Sequence, residues 1–157
     1  MTIKYQNVYI DSTYTIGGVY ESAGPLDKYF DKIFDKDLYF GEKNFEKAES
    51  KLLSLAIEGL LNKTDNKEEY IDFVVSGDLQ NQLASSDYAL RDYNIPYLGV
   101  FSACSTISEA ISIASSFLEN GLAKKIIAST SSHNAVSEKQ FRGTNEYGTL
   151  KTATDTF

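Results

Sequence analysis

Residues 96–121 read PYLGVFSACSTISEAISIASSFLENG, and this stretch decides the fold. Its first six residues form an apolar run of the length of a buried strand. Small residues follow, Ser102, Ala103, Cys104 and Ser105. Then Ile107, Ala110, Ile111, Ala114, Phe117 and Leu118 recur at helical spacing, an amphipathic stripe. Thr106 with Glu109 three positions on predicts a capping box, and Gly121 predicts the stop. Cys104, the single cysteine of the chain, thus falls where a strand turns into a helix. Unpaired backbone N–H groups and the positive end of the helix dipole lie at such a corner. They suit an anion, or a developing oxyanion, beside the sulfur. A lone cysteine also packs well as a small hydrophobe. The small neighbours favour a side chain that stands clear of the backbone.

Outward from this stretch, strands and helices alternate. Residues 42–63 predict a helix with Phe45, Ala48, Leu52, Leu55, Ala56, Gly59 and Leu60 inward, and with its Lys and Glu residues on a solvated face. Residues 72–76 (DFVVS) predict a short buried strand, residues 82–93 a helix, and residues 124–130 (KKIIAST) another strand. Such alternation specifies α/β architecture, a mostly parallel sheet flanked by helices. Ligands meet these folds at the carboxyl ends of the strands. Three strand ends carry polar groups here: Asp78 with Asn81, Cys104 with Ser105, and Ser131 with His133.

The flanks are less regular. Residues 4–16 alternate Val, Ile and Tyr and predict a first strand. Residues 19–41 are acidic and aromatic, with Gly24-Pro25 as a turn and a short helix expected over residues 25–34. The segment reads as an insertion whose aromatics form a satellite core. Residues 135–157 are polar and include Arg142, a planar carboxylate binder or a salt-bridge partner of Glu138 or Glu146.

Composition excludes several functions. The 157 residues carry a net charge of −7, which opposes non-specific nucleic-acid binding and electrostatic docking on anionic membranes. No apolar run approaches the ~18 residues of a membrane span. One cysteine forms no internal disulfide, which fits a reducing compartment. GxGxxG and Walker-type phosphate loops are missing, and a single histidine makes a protein-built zinc site improbable. His133 is the sole candidate imidazole base, or else a hydrogen-bonded structural residue at a strand end. Asp78 is a cap for the following helix or a pocket wall.

Several motifs occur in order along the chain: Gly24-Pro25-Leu26, Phe30-Asp31, Gly77 to Gln82 (GDLQNQ), Ala103 to Thr106 (ACST), Ser131 to Asn134 (SSHN), Gln140-Phe141-Arg142, Glu146-Tyr147-Gly148 and Thr152-Ala153-Thr154. Together they resemble the stage V sporulation protein AD family of the thiolase-like superfamily. The resemblance implies a thiolase-like α/β fold of two similar halves. Residues 1–157 would be the N-terminal half only, with a loop or insertion at about 19–41, and the second half, with its catalytic histidines, absent. It implies binding of pyridine-2,6-dicarboxylate (dipicolinic acid) and support of its uptake into the developing spore, with calcium accompanying the ligand and no protein-held cofactor or metal. The partners implied are membrane channel proteins of the same operon and, at full length, a second copy. The location implied is the cytoplasmic side, peripheral to the spore inner membrane. Ligand-binding candidates are Asp78, Asn81, Cys104, Ser105, His133 and Arg142. Cys104 also sits at the nucleophile position of thiolase-type acyltransferases, so acyl transfer is an alternative, as is a structural role beside a channel through residues 19–41.

Overall fold

A computed structural model describes residues 2–142. In chain order the elements are β1 (Ile16–Gly17), α1 (Val19–Ser22), β2 (Lys32–Ile33), α2 (Phe45–Lys63), β3 (Phe73–Gly77), α3 (Ala84–Leu90), β4 (Tyr97–Gly99), α4 (Thr106–Glu119), β5 (Ile126–Thr130) and α5 (Asn134–Arg142). The main sheet has the order β4-β3-β5, with both pairings parallel. The expected α/β architecture is therefore present. β3 is central and buried on both faces, as the apolar DFVVS run requires.

Helices cover the sheet on two sides. On one, Leu53, Ile57 and Leu61 of α2 and Ala89 and Leu90 of α3 pack with Val74 and Ile127. On the other, Ala110 and Ala114 of α4 pack with Val75 and Val100. Burying these apolar side chains, at ~1.5–3 kcal/mol for each large one, is what holds the layers together. α4 stops where Gly121 adopts φ +68°. There Leu122 N–H donates to Phe117 O at 3.0 Å and Gly121 N–H to Leu118 O at 3.1 Å, a Schellman ending.

Several expectations need correction. Of the expected inward face of α2, Ala48 is buried and Leu60 packs on the core, but the main inward row is Glu49, Leu53, Ile57 and Leu61, at i, i+4 spacing and including a charged residue. Apolar residues surround this helix, so spacing alone selects no face. The strand over residues 96–101 is an exposed edge, with Leu98 and Phe101 in solvent. The predicted capping box does not form. Ser105 is the N-cap without a side-chain bond, and Thr106 Oγ1 instead accepts from Ser102 N–H at 3.1 Å and donates to Ala103 O at 2.8 Å.

The strand predicted over residues 4–16 reduces to Ile16–Gly17, which pairs in parallel with Lys32–Ile33 inside the segment expected to be helical. Upstream the chain lies across α4. Tyr5 Oη donates to Ser112 O at 3.3 Å, and the N–H groups of Gln6 and Asn7 donate to the Glu119 carboxylate. A strand without a neighbour for its backbone groups is not stable, and these side-chain bonds take that place. In residues 19–41, Phe40 is buried and meets Phe34 edge-on at 5.1 Å, while Tyr20, Leu26 and Tyr29 face solvent.

Candidate functional site

The site is built where β4, β3 and β5 end together. Parallel pairing places Gly99, Ser76 and Ser129 side by side, so the three loops that follow leave the same sheet edge. Gly77 sets their spacing. A Cβ there would sit 1.9 Å from Val100 O and 2.8 Å from Thr106 Cγ2, so the turn bearing Cys104 packs directly on the end of β3. From the other side Thr130 Oγ1 donates to Gly77 O at 2.9 Å.

Asp78 is fully buried and its oxygens are taken. Oδ1 accepts from Gln80 N–H at 2.8 Å, and Oδ2 from both the N–H and the Oγ–H of Ser86, each at 2.7 Å. Ser86 lies in the first turn of α3, so Asp78 caps that helix across the loop, the structural role weighed for it. The loop bends sharply, with Gln82 and Leu83 both at positive φ, which costs non-glycine residues energy. Asn81 is exposed on it.

Cys104 is exposed. Ala103 before it holds φ +46°, a conformation that turns the chain abruptly from β4 into α4. Ser105 is also exposed and donates its hydroxyl to Ser102 O at 2.7 Å. Thiol and hydroxyl therefore stand in solvent at the start of a 14-residue helix.

His133 is buried at the start of α5, and both ring nitrogens are engaged. Ala135 N–H donates to Nδ1 at 3.2 Å, which leaves the proton on Nε2 to be donated to Leu38 O at 2.9 Å. The ring lies 5.9 Å from that of Phe40 and 5.1 Å from that of Phe45. His133 thus locks residues 38–45 onto the end of β5. Arg142 is the last residue of α5, and its side chain lies outside the described residues, as do Glu146 and residues 143–157.

The sequence reading missed Glu49. The charges of α2 read as a solvated face, yet the Glu49 side chain is fully buried between two of the strand ends. Ser131 Oγ–H donates to Oε1 at 3.0 Å and His133 N–H to Oε2 at 3.2 Å. Gln80 Nε2, which also bonds Ser85, reaches Oε2 at 3.5 Å. Burial pushes this carboxyl up to about 7, helped by the negative Asp78. The donors from Ser131, His133 and Gln80 oppose the rise.

The structure therefore brings Asp78 and His133 into one buried frame through Gln80 and Glu49, and leaves Asn81, Cys104 and Ser105 on the surface around it. The exposed residues can meet a ligand directly, and the buried ones hold the loops. Among the described residues no group of three or more His, Cys, Asp or Glu side chains is placed to hold a metal ion, and no helix is long and apolar enough to cross a membrane.

A family model described as Stage V sporulation protein AD matches residues 1–157. The curated Stage V sporulation protein AD of Bacillus subtilis (strain 168) is 40% identical over 151 residues, which cover 95% of this chain and 44% of that protein. The chain spans less than half the length of that relative.

Proposed function

The chain belongs to the stage V sporulation protein AD family, and from that premise we propose that its strand ends form part of a binding site for dipicolinate and support uptake of that dicarboxylate into the developing spore. The observation that carries the reading is the exposed pair Cys104 and Ser105 at the start of α4, on the sheet edge where β3 and β5 also end. The turn over Ala103–Ser105 already takes Ser105 N–H onto Ser102 O and Thr106 N–H onto Ala103 O, so what favours negative charge here is the positive end of the α4 dipole. One ligand carboxylate sits there, beside Asn81. The other is met by a planar cation, for which Arg142 is the candidate. Asp78 and His133 contribute by holding the loops, and calcium accompanies the ligand rather than residing in the protein. The full-length protein works as a homodimer on the cytoplasmic side, peripheral to the spore inner membrane through channel proteins.

Acyl transfer is the second reading, favoured by the exposed thiol after a strained turn. It requires a proton acceptor beside Cys104. His133, with both ring nitrogens occupied, does not supply one, which is why binding is preferred. Calorimetry decides. Arg142→Ala is expected to weaken dipicolinate binding about tenfold, the ~1.4 kcal/mol scale of one charge-assisted contact, and Cys104→Ala to weaken it less, since the α4 dipole remains. Unchanged affinity in both removes these residues from the site. A stable adduct at Cys104 after incubation with acyl-CoA supports the enzyme instead.

A further inference from the structure

Among the described residues, Glu49 and Asp78 are the fully buried acidic side chains. Asp78 is anchored to its own loop and to the helix α3 that follows it. Glu49 joins separate parts of the fold, from α2 to the loops leaving β3 and β5. We propose that the Glu49 carboxyl is a proton-operated clasp between those two loops, closed when neutral and loosened when charged, and that it sets the pH range over which the strand-end site accepts an anion. The second clause rests on the dipicolinate reading; the first does not.

The surroundings of Glu49 argue for the clasp. Its hydrogen-bond donors are neutral: Ser131 Oγ–H, His133 N–H and Gln80 Nε2–H. The loop after β3 adds a like charge, Asp78, at the other end of Gln80. From the β5 side comes His133, whose ring nitrogens are spent on Ala135 and Leu38. α5 brings Glu138 and Lys139, and Lys139 pairs with Glu46, one turn away on α2. Residues 38–45 bring the rings of Phe40 and Phe45 onto His133. α3 contributes the neutral Ser85 and Ser86.

A neutral carboxyl sits in such a frame without Coulombic cost. Release of its proton to water leaves a buried anion beside another anion, with no opposing cation hydrogen-bonded to it among the described side chains. Opening of residues 131–134 lets water relieve that cost. The upward shift of the Glu49 carboxyl to about 7 places the change near neutrality. An anion bound at the same strand ends adds negative potential, so by linkage ligand binding and proton uptake assist each other.

The test follows amide hydrogen exchange at His133 across about pH 6 to 8, corrected for the intrinsic pH dependence of exchange. The clasp predicts roughly tenfold loss of protection over that range, as a carboxyl near 7 titrates. Glu49→Gln, neutral at every pH, is expected to abolish the step. Ser131→Ala removes a donor that favours the charged form and is expected to move the midpoint upward, which a merely structural role would not do. Protection independent of pH in the unmodified protein, or a step retained in Glu49→Gln, overturns the clasp. Dipicolinate calorimetry at the same pH values is expected to weaken in parallel and to be flat in Glu49→Gln. A step in exchange with binding independent of pH overturns the regulatory clause. No binding at any pH overturns the dipicolinate reading, while exchange still judges the clasp.

Discussion

The backbone N–H of His133 donates to the Glu49 carboxyl at 3.2 Å, joining positions 84 residues apart. This bond ties the first long helix to the far end of the sheet, and burial of the carboxyl it meets, which the bond partly opposes, makes stability depend on pH. The carboxyl is raised from 4.5 to about 7 in the folded chain. The folded state therefore binds the proton more tightly than the unfolded state between these values. The stability Glu49 contributes is full below 4.5, falls as pH rises toward 7 and is lost above it. The full difference is roughly 3 kcal/mol. Asp31 and Asp72, whose carboxyls are held below their ordinary 3.8, act in the opposite sense at lower pH and leave this window clear. Urea unfolding at a series of pH values is expected to show the decline, and Glu49→Gln to remove it.

Gly77 allows the Cys104 turn to rest on β3. Gly77→Ala places a methyl 1.9 Å from a backbone oxygen, which must move. A cost of about 3 kcal/mol is expected, at the upper range for overpacking. Gly121→Ala meets no atom within 4 Å and pays only for its φ of +68°, ~1 kcal/mol. Denaturant midpoints of the two variants compare these causes directly. Gly77→Ala is also expected to disturb the amides of residues 100–106.

The alternation of strand and helix from residue 45 onward was legible because β3, α4 and β5 each carry a strong apolar pattern bounded by polar residues. The sheet order then places three polar strand ends together. Glu49 was not legible from charge. Apolar residues surround α2, so nothing in composition selects the buried row, and a Glu there reads as surface. The edge position of β4 also escaped, since its apolar run fits a buried strand equally well. Residues 4–14 show the limit of alternation as a signal: a β pattern yields a strand only when a neighbour accepts its hydrogen bonds.

Asp78 caps α3 from eight residues upstream through two bonds to Ser86. Asp78→Ala strands the N–H groups of Gln80 and Ser86 in a buried loop. An expected loss of about 2–4 kcal/mol follows from leaving such donors unpaired. Amide exchange at residues 80 and 86 is expected to rise well before global unfolding. Slow exchange at both sites in the variant shows that the carboxylate is not their anchor.

Cys104 is open to reagents in the folded chain. Iodoacetamide is expected to alkylate it to completion without denaturant, at a rate within about tenfold of an unfolded control, since the thiolate is the nucleophile and the sulfur is open to solvent in both states. Saturating dipicolinate is expected to slow the reaction. An unchanged rate with the ligand bound places the ligand away from the sulfur.

The most direct measurement is a titration of dipicolinate into nitrogen-15-labelled protein, following the amides of Asn81, Cys104 and Ser105. The account predicts that these signals shift together along one saturating curve, with His133 following as its loop is held. A spectrum unchanged at saturating ligand, or shifts confined to the surface cleft lined by Asp87, Arg91 and Tyr97, contradicts it.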